Sequence, residues 1–350
     1  MRRQLLAGAP VAALALALAT GAQAQPRAHK IIFDTDFGMV PQDDAFALML
    51  ALHSPELEIL GVATVAGNFS VEQATADALR LLEIAGRRDI PVYRGANMPL
   101  LHEKSEYATT RHGEWWSDAP PTTPPGGFAA RKEEAKSAVQ FIVDTVNAQP
   151  GQVTIMAIGP LTNVAMALRQ EPGLAAKVKD IYIMGGAVAA LPDGAGNVTP
   201  NAEFNFWVDP EAAKIVLRSG IRVALSPLNV SRKTSLNREW YQKLVAVDTP
   251  LTRLIRERLG PVFDKDPGRT MLMFDQVTVA SLVDPTLVTT AELYVDVDAH
   301  QGIDYGTSIG GKALWPGAEG AQKMAVQHDL DWDRFIRMFV ERVTRPVPSR

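Results

Sequence analysis

From Lys30 to Ser226, short apolar runs of strand length alternate with longer amphipathic runs. The strand-like runs are Lys30 to Asp34 (KIIFD), Leu57 to Val65, Ile90 to Tyr93, Gln152 to Ile158, Asp180 to Met184 and Arg222 to Ser226. Between them, Val71 to Ala85, Glu133 to Asn147, Pro160 to Gln170 and Pro210 to Ser219 carry the three-to-four-residue apolar spacing of a helix with one buried face. Strand, helix, strand in this order predicts right-handed βαβ crossovers. The expected fold class is therefore α/β, an open, mostly parallel sheet with helices on both faces and a Rossmann-like core. In such sheets ligands bind beyond the carboxyl ends of the strands. From about Ser231 the pattern becomes mainly helical, with one more strand-like run, Ala291 to Val297. The Pro/Gly-rich stretch Ala119 to Gly127 predicts an exposed loop, and with no repeat and no evident linker, residues 25–350 read as a single domain.

Residues 1–24 follow a different pattern: two arginines, a long Ala/Leu-rich apolar run, and a small-residue Ala-x-Ala ending at Ala24. That order is a secretory signal peptide, set aside for fold purposes. An uncleaved anchor is the competing reading, weakened by an apolar run short of the ~20 residues a span requires. Arg2-Arg3 leaves twin-arginine export open. The expected location is secreted or periplasmic in a bacterial-type cell, with no membrane contact after removal.

Without residues 1–24 the chain has 33 basic against 39 acidic residues, a charge of −6, since Arg2 and Arg3 are the only charged residues removed. No basic run or basic-aromatic stripe is present, which argues against nucleic acid as a partner. The chain has no cysteine. Disulfides and a thiolate nucleophile are thereby excluded, and any metal must be held by oxygen or histidine.

The chemistry gathers at the end of the first strand-like run, where Asp34, Asp36, Asp43 and Asp44 fall within eleven residues. Carboxylates crowded in a partly desolvated site raise one another's pKa unless protons or a cation intervene. A hard cation with oxygen ligands, Ca2+ or Mg2+, resolves the repulsion. Helix capping explains one or two of the aspartates but not four. The Asp-x-Asp at a strand end is also similar to the first motif of the haloacid-dehalogenase phosphatases. Phe37-Gly38 departs from what usually follows there, and no later acidic pair completes that motif.

Further along, GVATVAGN (Gly61 to Asn68), IMAIGPLTNVAMAL (Ile155 to Leu168), IYIMGGAV (Ile181 to Val188), GNVTPNAEFNFWVDPEAAKIV (Gly196 to Val216) and MFDQVTVASLVDP (Met273 to Pro285) follow in order. Together with the aspartates they resemble the inosine-uridine-preferring nucleoside hydrolase family over about Lys30 to Gly310, with NAEFNFWVDPEAA and IGPLTN the most specific parts. The resemblance implies a nucleoside hydrolase-like α/β fold and hydrolysis of the N-glycosidic bond of a ribonucleoside to ribose and free base, as in purine or pyrimidine salvage. It also implies one Ca2+ that holds a water and the ribose hydroxyls. Its ligands would be Asp36, Asp44, Asp275 and the backbone carbonyl of Ile158, with Asp36 also the general base. Asp43, Asn68 and Asn205 would read ribose hydroxyls, and Asn197 and Glu203 the 5′-hydroxyl end. Asp34 would support the site from behind. Glu203, between apolar neighbours, is hard to explain structurally, because an unpaired buried Glu is costly. Asp209 reads instead as a helix N-cap ahead of Pro210. Relatives are commonly homodimers or homotetramers, so a homo-oligomer acting on a small-molecule nucleoside is implied.

Two departures from the family pattern stand out. Its first motif is Asp-Thr-Asp-Pro-Gly-x-Asp-Asp, whereas FGMVPQ puts three more residues between Asp36 and Asp43, expected to bulge outward. Phe274 occupies the position before the metal aspartate where many members have a His that protonates the leaving base. His112, in RHGEWW beside Trp115 and Trp116, is the candidate acid in its place. The alternative function is a non-catalytic, secreted ribose- or nucleoside-binding protein with the same metal and sugar groups.

Overall fold

The computed structural model of the chain describes residues 28–112 and 119–348. The signal-peptide reading of residues 1–24, Trp115, Trp116 and the side chain of His112 lie outside the described residues.

Nine strands form one sheet: β1 (His29–Thr35), β2 (Leu57–Thr64), β3 (Val92–Arg94), β4 (Val153–Ala157), β5 (Asp180–Met184), β6 (Val223–Ser226), β7 (Val288–Val297), β8 (Ser308–Gly311) and β9 (Gln322–Leu330). Their order across the sheet is β3-β2-β1-β4-β5-β6-β9-β7-β8. Every pair from β3 to β9 is parallel, and β7 pairs antiparallel with both β9 and β8. The six strands read from the sequence are all present, with ends displaced by two residues or fewer. The C-terminal part differs from its mainly helical expectation: besides its helices it returns three strands to the sheet, and β9 rather than β7 docks against β6.

The helices named here are α1 (Asp43–Leu52), α2 (Val71–Ile84), α3 (Glu106–His112), α4 (Ala138–Ala148), α5 (Thr162–Gln170), α6 (Phe204–Val208), α7 (Pro210–Leu217), α8 (Leu228–Ser231), α9 (Arg238–Leu244), α10 (Pro250–Lys265), α11 (Asp275–Val283) and α12 (Trp332–Val343). They cover both faces. On β1, Ile31 and Phe33 pack with α1, α2, α11 and α12, while Ile32 points into the opposite layer with α4, α5 and α7. That is the alternation of a strand buried on both sides. No helix among the described residues is long and apolar enough to cross a membrane.

The order β3-β2-β1-β4-β5-β6 reverses direction between β1 and β4, and in a doubly wound sheet such a point opens a crevice at the strand carboxyl ends. Asp34 and Thr35 close β1, with Asp36 next, while Ile158 and Gly159 follow β4 at that point. The FGMVPQ segment does not bulge outward. Phe37 and Val40 are 0 % exposed and Met39 6 %, because three apolar side chains are worth more inside than in water. Inward packing of this segment leads the chain into α1 with Asp43 and Asp44 in the first turn.

Candidate functional site

A cleft of about 300 Å3 opens at the crevice, lined by Gln42, Asp43, Asn68, Ile158, Met184, Asn197, Val198, Glu203, Phe204, Asn205, Phe274 and Asp275. Seven of the residues expected from the sequence are among these, and Asp36 and Asp44 lie directly behind Asn68. The Asn68 backbone N–H donates to Asp36 Oδ2 at 2.6 Å, and its side-chain amide donates to Asp44 Oδ2 at 3.2 Å. A larger groove of about 830 Å3, lined by residues of α5 and α7, carries none of the expected residues.

Helix starts supply most of the acidic groups. Asp43 and Asp44 open α1, Asp275 opens α11, and Glu203 caps α6, all positions where the helix end favours negative charge. Carboxylate oxygens of Asp43, Asp44 and Asp275 lie within 4.8 Å of one another. This grouping has Asp43 where the sequence reading has Asp36. Asp36 stands beside it, close enough that the charges of Asp44 and Asp43 act on it.

Burial, followed by the negative charge of Asp44, holds the Asp36 carboxyl well above its usual range. Burial and then Asp43 push Asp44 up to about 7, although the Thr35 hydroxyl donates to it at 2.5 Å. Burial brings Asp43 to about 6 against several backbone N–H groups, and burial, helped by Asp43, Asp44 and Asp36, holds Asp275 well above its usual range. Asp36 Oδ1 is buried with no hydrogen-bond partner among the described residues. A bare, buried oxygen on a carboxylate that feels the charges of Asp43, Asp44 and Asp275 is an energetic liability that a cation removes. Among the described residues no His or Lys lines the cleft, so the donor set there is all oxygen and fits a hard divalent cation.

Two glycines shape the seat of Asp36. A Cβ on Gly67 would lie 2.2 Å from Asp36 Oδ2, and one on Gly159 would lie 2.8 Å from Oδ1. Neither was singled out from the sequence, although each sits inside a quoted motif. Asn163, also unnoticed in IGPLTN, donates to Asp34 Oδ2 and to the Thr64 carbonyl, both at 2.9 Å, and accepts from the Ala96 N–H. Asp34 therefore ties β1 to β2 and α5 rather than facing the cleft.

Glu203 has a structural explanation that the sequence did not reveal. Its carboxylate accepts from the backbone N–H groups of Asn205 (2.8 Å), Gly186 (2.8 Å) and Phe206 (3.1 Å), yet burial still raises it to about 7. Asn205 donates to the carbonyls of Ile158 and Met184, both at 3.2 Å, and Asn197 accepts from the Phe204 N–H at 2.9 Å. Asp209 is the N-cap of α7, accepting from Ala212 N–H with Pro210 following, as the sequence indicated. Its carboxylate also receives Thr162 Oγ1 at 2.7 Å and Leu100 N–H at 2.9 Å.

The residues separate by exposure. Ile158, Met184, Glu203, Asn205 and Asp275 form a buried floor with Asp36 and Asp44 behind it; Gln42, Asp43, Asn68, Phe204 and Phe274 form a half-buried rim. The floor carries groups that pair with hydroxyls, and the rim carries two aromatic rings.

The sequence profile described as inosine-uridine preferring nucleoside hydrolase matches residues 31–337. A pyrimidine-specific ribonucleoside hydrolase from Salmonella paratyphi A is 38 % identical over 318 residues, 89 % of this chain and 97 % of that protein. Among solved structures, a plant nucleoside hydrolase superposes with a TM-score of 0.77 at 31 % identity, covering 91 % of this chain and 99 % of that one. A purine-preferring ribonucleoside hydrolase from Gardnerella vaginalis gives 0.72 at 30 % identity, with 90 % and 98 % covered.

Proposed function

The chain belongs to the inosine-uridine preferring nucleoside hydrolase family, enzymes that cleave N-glycosidic bonds, and from that premise we propose that it hydrolyses ribonucleosides with Ca2+ bound in this cleft and Asp36 as general base. The observation that carries the reading is the buried, partnerless Oδ1 of Asp36 beside the Asp43, Asp44 and Asp275 cluster. Asp43, Asp44 and Asp275 would hold the cation, with the Ile158 carbonyl, which has one lone pair left beyond the Asn205 amide, at their side. When bound, the cation supplies the positive charge that balances the carboxylates and polarises oxygen atoms of water and sugar.

The residues of the chain do the remaining work. Asn68 fixes Asp36 through its backbone N–H, so that Oδ1 is the oxygen that takes the proton of the attacking water. Asn205 has both amide donors committed to backbone carbonyls, and its Oδ1 accepts from a ribose hydroxyl. Asp43 and Asn68 act at the rim on the other hydroxyls, and Asn197 and Glu203 on the 5′ end. The anionic floor stabilises the positive charge that builds on the sugar as the C1′–N bond lengthens. Export through residues 1–24 and self-association into a dimer or tetramer belong to the same proposal.

Base release from a panel of purine, pyrimidine and nicotinamide ribosides, with Ca2+ and with chelator, tests the reading. Release with Ca2+ that stops on chelation and returns on readdition is the expected result. Absence of release from every riboside at high enzyme concentration in Ca2+ leaves only a binding protein.

A further inference from the structure

The six residues between Asp36 and Asp43 have a consequence for the substrate. Phe37, Met39 and Val40 are buried, and Arg258 Nε donates to the Val40 carbonyl at 3.2 Å, so the segment is anchored in the core up to the residue that reaches the cleft, Gln42. The stem of Gln42 lies over bare Gly38, where a Cβ would come within 2.6 Å of Gln42 Cγ and of the Phe69 ring. Its place is therefore set by packing.

Gln42 occupies the N-cap position of α1, where polar side chains commonly accept from the first turn, but makes no cap bond. Four amide side chains line the cleft. Asn68 donates to Asp44, Asn197 accepts from Phe204, and Asn205 donates to Ile158 and Met184. The Gln42 amide alone among them has no hydrogen bond within the described residues, and it stands on the rim with Phe204 and Phe274, while Glu203, Asn205 and Asp275 occupy the floor. A sugar seated on the floor puts its base among these three side chains.

Among the described residues no Lys, Arg, His or Tyr lines the cleft. In the reaction the water oxygen bonds to C1′, its proton passes to Asp36, and the C1′–N electron pair leaves with the base, which takes a proton from solvent on release. Until then the base carries negative charge, spread from the departing nitrogen to any conjugated ring carbonyl. A donor at that oxygen is stronger in the transition state than in the ground state. We infer that Gln42 is a specificity-determining residue: its Nε2–H donates to a ring carbonyl of the leaving base, so the cleft favours ribosides of oxo bases. The inference rests on the hydrolase reading and names the substrate class of the same site.

The test compares the Ca2+-loaded wild type with Gln42→Met, which keeps the stem, and Gln42→Glu, which keeps the shape but removes the donor. kcat and KM are measured on uridine, inosine and adenosine, and Kd for ribose and each nucleoside by calorimetry. Both variants are expected to lose about 10- to 100-fold in kcat/KM on uridine and inosine, mainly in kcat, and less than about threefold on adenosine and in ribose affinity. An equal loss on adenosine, a parallel loss of ribose affinity, or no loss at all overturns the role of Gln42. If the wild type binds nucleosides but releases no base, the hydrolase reading fails alone. Gln42 is then judged by Kd: uridine about tenfold weaker in Gln42→Met with ribose unchanged keeps the contact, and unchanged uridine affinity removes it.

Discussion

At the residue scale the site depends on one carboxylate whose two oxygens are treated differently. Asp36 Oδ2 is held by the Asn68 N–H, and Oδ1 is left without a partner. Asp36→Asn keeps the shape but cannot take a proton. Turnover should fall by about 10^2- to 10^4-fold while ribose affinity, read by calorimetry, changes little; a variant that turns over normally removes Asp36 as the base. Gly67→Ala places a methyl 2.2 Å from Oδ2, so the carboxylate or the loop must shift. Activity should drop by more than about tenfold with a stability loss of about 1–3 kcal/mol, measured by denaturant unfolding. The aspartates were legible because clustered charge needs an explanation. Gly67, Gly159 and Asn163 were not, because their role is to fill or leave space beside residues distant in sequence.

At the scale of elements, alternation made the parallel half of the sheet readable, since each strand there is a short apolar run bounded by turn residues. β9 was missed because its sequence, QKMAVQHDL, is polar at many positions and only its pairing with β6 and β7 identifies it. The direction of the FGMVPQ segment was readable in principle: Phe37, Met39 and Val40 are apolar, and an outward bulge would leave them in water. Asp209 shows what a single cap does for element packing. It joins the start of α7 to Thr162 on α5 and to the Leu100 backbone, so one buried carboxylate satisfies three donors. Asp209→Ala should cost about 2–4 kcal/mol, a cap loss plus unsatisfied buried donors, and Asp209→Asn distinctly less. Equal melting temperatures for wild type and Asp209→Ala would contradict this bridging role.

At the scale of the whole molecule, the acidic floor sets how stability depends on pH and on the cation. Burial raises Asp43 to about 6, and burial with neighbouring negative charge raises Asp44 and Glu203 to about 7 and lifts Asp36 and Asp275 as well; Asp34, off the cleft, is brought to about 7 by burial alone, against its bond from Asn163. Unfolded, these groups titrate near 4. Between about pH 4 and 7 the cation-free folded chain therefore holds protons that the unfolded chain has released, so its stability falls as pH rises through that window. Pairs such as Glu56 with Arg342, whose carboxyl is held low chiefly by its hydrogen bond to that guanidinium, act in the opposite direction and only at the acid end. Above pH 5 the floor dominates. A bound cation prefers the deprotonated carboxylates, and its stabilisation grows as they lose their protons. Calorimetric melting from pH 5 to 7.5 should show a falling Tm in chelator, by on the order of a few kcal/mol in stability, and a flat or rising Tm in millimolar Ca2+. If the two curves run parallel, the floor is not where the cation binds. If Mg2+ restores stability as well as Ca2+ at equal concentration, the donors are there but the assignment of Ca2+ among hard cations is wrong.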